Sequence, residues 1–435
     1  MPFRPKIEAA FGEFSEDLNR ISFREVTIMS NEDKGNGLTR RAFIKSVGLG
    51  GLAATGLDAA RAMAGQEQGE GKASSVPKRR LGKTGVDVSI LCLGGMFDTL
   101  NNQLLLRQAY NWGVTFWDTA EGYGNGMSEE GFGRFFTRNP EARKEIFLVT
   151  KTRPGEPAKM TGSLDASLKK LQTDNVDLFF CHAIGALSDI GEPIKEWASQ
   201  MKKAGKIRFF GFSTHTNMED CLLAAAKVDW VDAVMFTYNF RLMHTTKMKE
   251  AVEACVKAGI GLVAMKTQGG GPVKAESEAE LQLVGKLLDR GFTDKQAKLK
   301  AVWEEPNIAS ICSQMPSLTI LSANVAAARD LKALARSDLE MLDRYAMETC
   351  AGYCAGCGHI CQAAVGGAVP VSDVMRSLMY YREYGDQDLA RKVFTSLPDI
   401  ARSQLTQVDY AEAEKACPQK LAISRLMEEA SQLLA

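Results

Sequence analysis

The chain has 435 residues, enough for one large domain and a smaller appendage. Lysine and arginine together number 53, as do aspartate and glutamate, so the formal net charge is zero. There is no basic excess of the kind that binds nucleic acid and no acidic tail, so nucleic acid is excluded as an expected partner.

An export signal is predicted near the N-terminus. Residues 39–45 read TRRAFIK, and the arginine pair Arg40 and Arg41 resembles a twin-arginine signal. A weakly apolar stretch follows over residues 46–57, and Ala62 and Ala64 then fit a small-residue cleavage site. The alternative is an amphipathic helix of the folded domain, which does not explain why these three features occur in this order.

We therefore expect residues 1–64 to be a leader and residues 65–78 to be a polar linker. The leader makes the twin-arginine translocase an expected partner and predicts a periplasmic or other extracytoplasmic location. Met29 begins a leader of more ordinary length, and codons for residues 24–27 can spell a purine-rich ribosome-binding site. Our hypothesis is that the natural start is Met29; the alternative is a genuine extended leader.

Short apolar, β-rich runs then recur eight times with helical stretches between them. The runs are 89–93, 114–118, 146–150, 176–181, 207–212, 232–238, 260–265 and 307–312. Continuous apolar runs suit parallel strands that are buried on both faces. Between two of them, Leu164, Leu168 and Leu171 recur at helical spacing. Eight strand–helix repeats over about 250 residues are typical of a (β/α)8 TIM barrel, which we place at residues 79–335.

A doubly wound parallel sheet is the alternative fold. That fold needs a G-x-G-x-x-G turn after its first strand. Residues 93–96 read LGGM at that point and do not supply this turn. The sequence therefore favours the α/β barrel.

Four polar residues, Asp118, Tyr123, Lys151 and His182, lie at or just past the ends of predicted strands. In a TIM barrel this is the catalytic face. Tyrosine is a weak acid with a pKa of about 10. A nearby lysine would stabilise its phenolate, and a carboxylate would hold the lysine charged. Alone, the histidine would be read as structural and the lysine as solvated, but the four types in this order indicate a catalytic site.

The surrounding motifs FWDTAEGYG, FLVTKTRP and LFFCHAIG, with the opening segment RRLGKTGVDVSILCLGG, resemble the aldo-keto reductase family over residues 78–335. The resemblance implies a small carbonyl or alcohol substrate. It also implies Tyr123 as general acid, Lys151 as its tuning cation, Asp118 as the partner of Lys151, and His182 as the group that orients the substrate carbonyl.

Cofactor positions follow from the same resemblance. Ser213, Asn239 and Asn324 match positions that bind nicotinamide cofactors in the family. The family usually has glutamine four residues before that first asparagine, where this chain has Met235. Residues 313–323 contain neither lysine nor arginine, although the 2′-phosphate of NADP needs cationic partners. NAD(P) is thus implied without a preference for NADP, and three alternatives stay open: NAD binding, weak nicotinamide binding, or its loss.

Ten cysteines are present, and five of them fall in the C-terminal region. The other five are scattered in mostly apolar context and are expected to be small buried side chains. Four of the C-terminal five are close enough in sequence for their thiolates to converge on one metal centre; they are Cys350, Cys354, Cys357 and Cys361. Cys417 lies further downstream and is followed by proline, as at the end of ferredoxin-like cysteine runs.

This arrangement resembles a subgroup of aldo-keto reductases that carries a small helical ferredoxin-like domain, expected here over residues 340–435. That subgroup carries two cysteine runs, and in this chain the second run is reduced to Cys417. We therefore expect one 4Fe–4S cluster held by four of the five cysteines, with Cys350 or Cys361 as the spare. A zinc site and disulfides are the alternatives. Twin-arginine export carries folded proteins, so a cluster can be inserted before transport, which favours iron–sulfur.

Together these features predict an exported oxidoreductase in which electrons pass between the barrel site and the cluster, with a redox partner protein. The alternative is an electron-transfer or partner-binding protein on a degenerate barrel scaffold. Met235 and the lack of lysine or arginine in residues 313–323 favour that alternative, while the complete set of four rim residues opposes it.

Overall fold

A computed structural model describes residues 75–273, 291–330 and 332–435, together with residues 282, 285, 286 and 289. The described residues belong to one compact unit that spans residues 70–435. The leader, its twin-arginine motif, the start at Met29 and most of the linker lie outside the described residues. Among the helices described, none is long and apolar enough to cross a membrane.

A short hairpin opens the described chain. Strands β1 (Lys78–Arg80) and β2 (Asp87–Ser89) pair antiparallel. Leu81 and Val88 of this hairpin pack among the side chains that fill the inside of the barrel. The hairpin therefore closes the N-terminal end of the barrel, and the opposite end stays available for a site.

Eight parallel strands form the closed barrel, in the order β10-β3-β4-β5-β6-β7-β8-β9. They are β3 (Leu91–Gly94), β4 (Phe116–Asp118), β5 (Phe147–Thr152), β6 (Val176–Cys181), β7 (Ile207–Thr214), β8 (Ala233–Thr237), β9 (Gly261–Met265) and β10 (Ile308–Gln314). The predicted eight-stranded α/β barrel is confirmed, and the doubly wound alternative is wrong because β10 closes onto β3.

Strand parity decides which residues reach the mouth of the barrel. On β4, Phe116 packs inside the barrel while Trp117 faces the surrounding helices. Successive side chains alternate between the two faces of a strand, so Asp118 points inward as Phe116 does. On β5 the inward residue Val149 is followed, two positions later, by Lys151.

Helices surround the barrel and bury one face each against it. Leu164, Leu168 and Leu171, spaced as an apolar helical face, are all buried on α4. The helices described around the barrel are α1 (Gln103–Asn111), α2 (Met127–Arg138), α3 (Pro140–Glu145), α4 (Pro157–Leu171), α5 (Glu192–Lys203), α6 (Met218–Ala225), α7 (Thr246–Lys257), α8 (Asp294–Trp303) and α9 (Leu318–Arg329).

A helical segment with its own apolar core follows the barrel. Its described helices are α10 (Arg336–Glu348), α11 (Gly358–Ala364), α12 (Val371–Arg382), α13 (Gln387–Thr395), α14 (Asp399–Ser403), α15 (Ala411–Ala416) and α16 (Ile423–Leu434). The predicted helices after the barrel are therefore present. Contacts described below dock this segment on the C-terminal face of the barrel.

Candidate active site

The four predicted rim residues meet at the C-terminal mouth of the barrel. Asp118 ends β4, Lys151 lies near the end of β5, and His182 directly follows β6. Tyr123 begins a 3-10 turn, Tyr123–Gly126, after β4. The backbone N–H of Glu121 donates to the carbonyl of Lys151 at 3.0 Å, which ties this loop to the neighbouring strand.

Lys151 connects three of these groups through its ammonium. Its Nζ donates to Asp118 Oδ1 at 2.5 Å, to the Thr119 carbonyl at 2.8 Å and to Tyr123 Oη at 3.4 Å. An ammonium has three N–H donors, and here each has an acceptor. Lys151 is only 1% exposed, so this complete set of partners is what makes burial of its charge tolerable.

The electrostatics keep Lys151 charged. Burial by itself lowers the pKa of Lys151, but the charge of Asp118 and then Tyr123 outweigh it and raise the pKa above its ordinary value. Burial raises the pKa of Asp118, against the opposing effect of the Lys151 charge. The second carboxylate oxygen of Asp118, Oδ2, is buried and has no hydrogen-bond partner among the described residues.

Tyr123 departs from the expectation of a lowered pKa. Burial raises the pKa of Tyr123 well above its ordinary value, and Lys151 lowers it only in part. Lys151 therefore acts in the predicted direction, but desolvation of the phenol wins. Among the groups that raise this pKa further is Tyr380, which comes from α12 of the C-terminal segment.

His182 packs edge-on against Tyr123, with the ring centroids 5.7 Å apart. Burial lowers the pKa of His182 well below its ordinary value, and the charges of Lys151 and Arg153 add to this effect. The imidazole is therefore neutral at physiological pH and has one N–H to donate. A neutral imidazole beside a phenol suits the polarisation of a substrate carbonyl.

Cys312 is a residue of this site that sequence reasoning missed, because it was grouped with the scattered apolar cysteines. Its Sγ lies 3.7 Å from Asp118 Oδ1. Cys312 of β10 pairs in register with Cys92 of β3. Burial, followed by a hydrogen bond with Cys312, raises the pKa of Cys92 well above its ordinary value. Only closure of the barrel brings β10 beside β3, so no local signal could have revealed this contact.

The predicted cofactor residues lie on the same rim but already have protein partners. Ser213 Oγ accepts from the backbone N–H of Ala183 at 3.0 Å. Asn324 Nδ2 donates to Ser313 Oγ at 3.0 Å. Asn239, which is fully buried, donates from Nδ2 to the Lys266 carbonyl at 3.1 Å and to Tyr353 Oη at 3.0 Å.

The C-terminal segment thus covers part of the rim. Besides Tyr353 on Asn239, the Lys266 ammonium donates to Tyr380 Oη at 3.2 Å. Arg241 donates to Thr349 Oγ1 at 2.7 Å, which adds a third link between rim and segment. None of these contacts was predicted from the sequence.

Four of the five C-terminal cysteines line one pocket. Cys354, Cys357, Cys361 and Cys417 face about 360 Å³ of space whose other walls are mostly apolar, and Cys350 does not line it. Burial raises the pKa of Cys354 to about 12 and that of Cys357 to about 11. Within the part of the chain that the structure describes, no three His, Cys, Asp or Glu side chains are placed to hold one metal ion.

A second cavity lies between the barrel rim and this cysteine pocket, and we call it the rim cavity. It comprises about 430 Å³ of space, part of which is open to solvent. Cys354 and Met375 line both spaces, so the two are separated by a single layer of side chains. The basic side chains on its wall, Lys266, Arg376 and His215, were not singled out by sequence reasoning.

This chain is similar in sequence to known enzymes. The profile of the aldo/keto reductase family matches residues 93–347, which include all four rim residues. A curated relative, "Aldo-keto reductase yakc [NADP(+)]" from Schizosaccharomyces pombe, is 32% identical over 219 residues. That alignment covers 45% of this chain and 62% of the relative, so the chain spans less than two thirds of this relative's length.

Solved structures show the same barrel. An aldo-keto reductase from Bacillus halodurans in its holo form superposes with a TM-score of 0.53 at 21% identity, covering 62% of this chain and 96% of the other. An aldo-keto reductase from Klebsiella pneumoniae in complex with NADPH gives a TM-score of 0.52 at 22% identity, covering 62% and 95%. At these identities the similarity concerns the fold alone.

Proposed function

This chain belongs to the aldo/keto reductase family, and we therefore propose that it is an oxidoreductase that interconverts a carbonyl compound and an alcohol. The observation that carries the proposal is the position of Lys151. Its ammonium bridges the carboxylate of Asp118 and the phenol of Tyr123 at the mouth of the barrel, with His182 beside them.

Each rim residue has a role that follows from its surroundings. Tyr123 holds its proton at neutral pH because burial raises its pKa, so it is a proton donor to a carbonyl oxygen that gains negative charge. Lys151, 3.4 Å from the phenol oxygen, stabilises the phenolate that is left. Asp118 holds Lys151 in place and keeps it charged. Neutral His182 donates a hydrogen bond to the same carbonyl oxygen.

A nicotinamide is the hydride source suggested by the NADP(+) in the name of the yeast relative. In this chain Ser213, Asn239 and Asn324 would hold it. The fit is incomplete, because the Asn239 amide is committed to Tyr353 and residues 313–323 offer no cation to a 2′-phosphate. We therefore propose no preference for NADP.

For the cysteine pocket we propose a 4Fe–4S cluster held by Cys354, Cys357, Cys361 and Cys417, with Cys350 as the spare. Four thiols around one apolar pocket support it. Zinc is the alternative metal for the same thiols. The described cysteines are all free, which weighs against disulfides. When bound, an iron–sulfur cluster supplies electron-transfer capacity.

The remaining parts of the proposal concern location and partners. Export by the twin-arginine translocase rests on the motif at Arg40 and Arg41. A protein exported in this way works where free nicotinamide is scarce, so we propose a redox partner protein that exchanges electrons with the C-terminal segment. The docking of that segment on the barrel rim through Tyr353 and Tyr380 supports a functional link between the two parts.

An anaerobic assay tests the catalytic proposal. Small aldehydes and ketones are offered with NADH, NADPH or reduced methyl viologen as electron donor. We expect turnover with at least one donor, a loss of about 10²- to 10⁴-fold in Tyr123→Phe, and no comparable loss in the control Tyr110→Phe, which lies on α1 away from the rim. Wild-type turnover that Tyr123→Phe retains would overturn the assignment of Tyr123.

A second candidate function is electron transfer or partner binding on a barrel that no longer catalyses. The observation in its favour is the cover that Tyr353 places over Asn239. The same assay separates the two functions, because an electron carrier should be indifferent to Tyr123→Phe.

A further inference from the structure

The rim cavity has a cationic wall. Lys266 follows strand β9, Arg376 lies on α12 of the C-terminal segment, and His215 follows β7. The barrel and the C-terminal segment each contribute to this wall, so it exists only in the docked arrangement. The rim cavity is partly open to solvent, so a small molecule can reach this wall from outside.

Lys266 is a partly buried cation without a carboxylate partner among the described residues. Its ammonium has one hydrogen bond, to Tyr380 Oη at 3.2 Å, and lies 4.6 Å from the centre of that ring. Burial by itself lowers the pKa of Lys266, but the phenols of Tyr380 and Tyr384 outweigh it. An ammonium has three donors, so this one retains capacity for another acceptor.

His215 gives an independent sign of a missing partner. Its Nδ1 is buried and has no hydrogen-bond partner among the described residues. Buried polar atoms in proteins are nearly always paired with protein, water or ligand. Burial lowers the pKa of His215 well below its ordinary value, and the next causes are the charges of Lys266 and Arg376.

The positive field extends to the catalytic residues. Lys266 and Arg376 are both among the charges that lower the pKa of His182. Arg376 is paired with Asp373 at 2.7 Å, so its charge is partly compensated, whereas Lys266 faces only phenols. An anion in the rim cavity would therefore be within electrostatic range of His182 and would compensate the charge of Lys266.

We propose that the rim cavity is an oxyanion-binding site in which Lys266 and Arg376 hold a carboxylate and the Nδ1–H of His215 donates to it. Resting on the proposed function, this makes the substrate a carbonyl compound or alcohol that carries a carboxylate, such as a small oxo acid. Arginine and lysine beside a carboxylate form the stronger, charge-assisted type of hydrogen bond. The diphosphate of a nicotinamide dinucleotide has the same chemistry, and the test separates the two sources.

Equilibrium binding tests the site without any turnover, so its outcome is independent of the proposed function. The probes are oxamate, an unreactive likeness of a 2-oxo acid, and inorganic diphosphate, each titrated calorimetrically into the full chain. We expect oxamate to bind, and Lys266→Gln and Arg376→Gln each to weaken it at least tenfold. The control Arg336→Gln removes a fully exposed arginine from α10 and should leave the affinity unchanged.

Each outcome decides a point. Tighter binding of diphosphate than of oxamate, with the same dependence on Lys266 and Arg376, would support the oxyanion site and overturn the carboxylate substrate. Binding of neither probe, or binding that both variants retain, would overturn the site itself and leave water as the partner of His215. Arg376 already has Asp373 as an ionic partner and is partly exposed, so Arg376→Gln is the second variant that remains informative where Lys266→Gln fails to fold.

Discussion

Asn239, at the barrel rim, donates a 3.0 Å hydrogen bond to the phenol oxygen of Tyr353 in the C-terminal segment. Tyr353 directly precedes Cys354, the cysteine that lines both the cysteine pocket and the rim cavity. Two neighbouring residues therefore make two different contacts: Tyr353 is hydrogen-bonded to Asn239, which is expected to bind nicotinamide, and Cys354 lines the pocket of the proposed cluster. Any movement of the segment at Tyr353 would alter both.

Tyr353→Phe tests the strength of that link. The change removes the phenol oxygen and leaves the Asn239 amide with the Lys266 carbonyl as its acceptor. The loss of one partner from a buried amide costs about 1–3 kcal/mol, so we expect the free energy of unfolding in urea to fall by about that amount. Tyr110→Phe is the control, and an unchanged free energy for Tyr353→Phe would contradict the docking described here.

Lys151→Met should destabilise the protein strongly. It leaves the buried carboxylate of Asp118 without its cation, and breaking a buried pair in this way typically costs about 3–5 kcal/mol. The double variant Asp118→Leu with Lys151→Met removes both charges and should recover most of this loss. Urea unfolding measures the free energies of the three proteins.

Activity should not recover with stability in that series. The double variant lacks the cation that stabilises the Tyr123 phenolate, so its carbonyl reduction should stay as low as that of Lys151→Met. A double variant that regained both stability and turnover would show that Lys151 has only a structural role.

The barrel was predictable because its signals are local. Apolar runs of strand length and the helical spacing of Leu164, Leu168 and Leu171 each lie within a few residues, and parity along β4 and β5 then carries Asp118 and Lys151 to the mouth. The order of residue types at successive strand ends was enough to predict that the four rim residues share one site.

The cover over the rim was not predictable from such signals. Asn239 and Tyr353 are 114 residues apart in the sequence, as are Lys266 and Tyr380. No sequence motif predicts that either pair is in contact. The raised pKa of Tyr123 is in part of the same origin, because Tyr380 of the C-terminal segment is among the groups that raise it. The choice of the spare cysteine also needed three dimensions, since Cys350 and Cys361 have equal spacing from their neighbours.

His182 should make folding stability depend on pH on the acid side. Its pKa in the folded state is well below the ordinary value because of burial and the charges of Lys151, Arg153, Arg376 and Lys266. The unfolded histidine takes up a proton near pH 6.5, so the stabilisation is present above that pH and is lost as the pH falls below it.

His182→Asn should therefore reduce the slope of unfolding free energy against pH between about pH 6 and 5. One proton corresponds to about 1.4 kcal/mol per pH unit at 25 °C. Urea unfolding of wild type and variant at several pH values gives both slopes. Equal slopes would mean that His182 is protonated in the folded protein.

Export can be tested on the leader itself. Replacing Arg40 and Arg41 together by lysine retains the charge but removes the paired arginines of the motif. We expect the variant to stay in the cytoplasm as an uncleaved chain, while the wild type is found outside it and shortened to begin near Gly65. Cell fractionation with mass spectrometry of the N-terminus distinguishes them, and equal export of both would contradict the signal.

The proposed cluster can be tested with a control from the same chain, because Cys350 does not line the cysteine pocket. Cys354→Ser, Cys357→Ser, Cys361→Ser and Cys417→Ser each remove a thiol that faces the pocket, whereas Cys350→Ser removes one that does not. A broad visible absorbance that dithionite bleaches, measured on anaerobically purified protein, should therefore persist in Cys350→Ser and weaken or vanish in the other four. Iron analysis on the same samples checks the assignment.

Stoichiometric zinc, or a featureless spectrum in the wild type, would contradict the cluster and leave these cysteines a structural role. Loss of iron in Cys350→Ser with retention in Cys361→Ser would instead exchange the ligand and the spare, and would require the segment around Cys350 to fold differently when the cluster is bound.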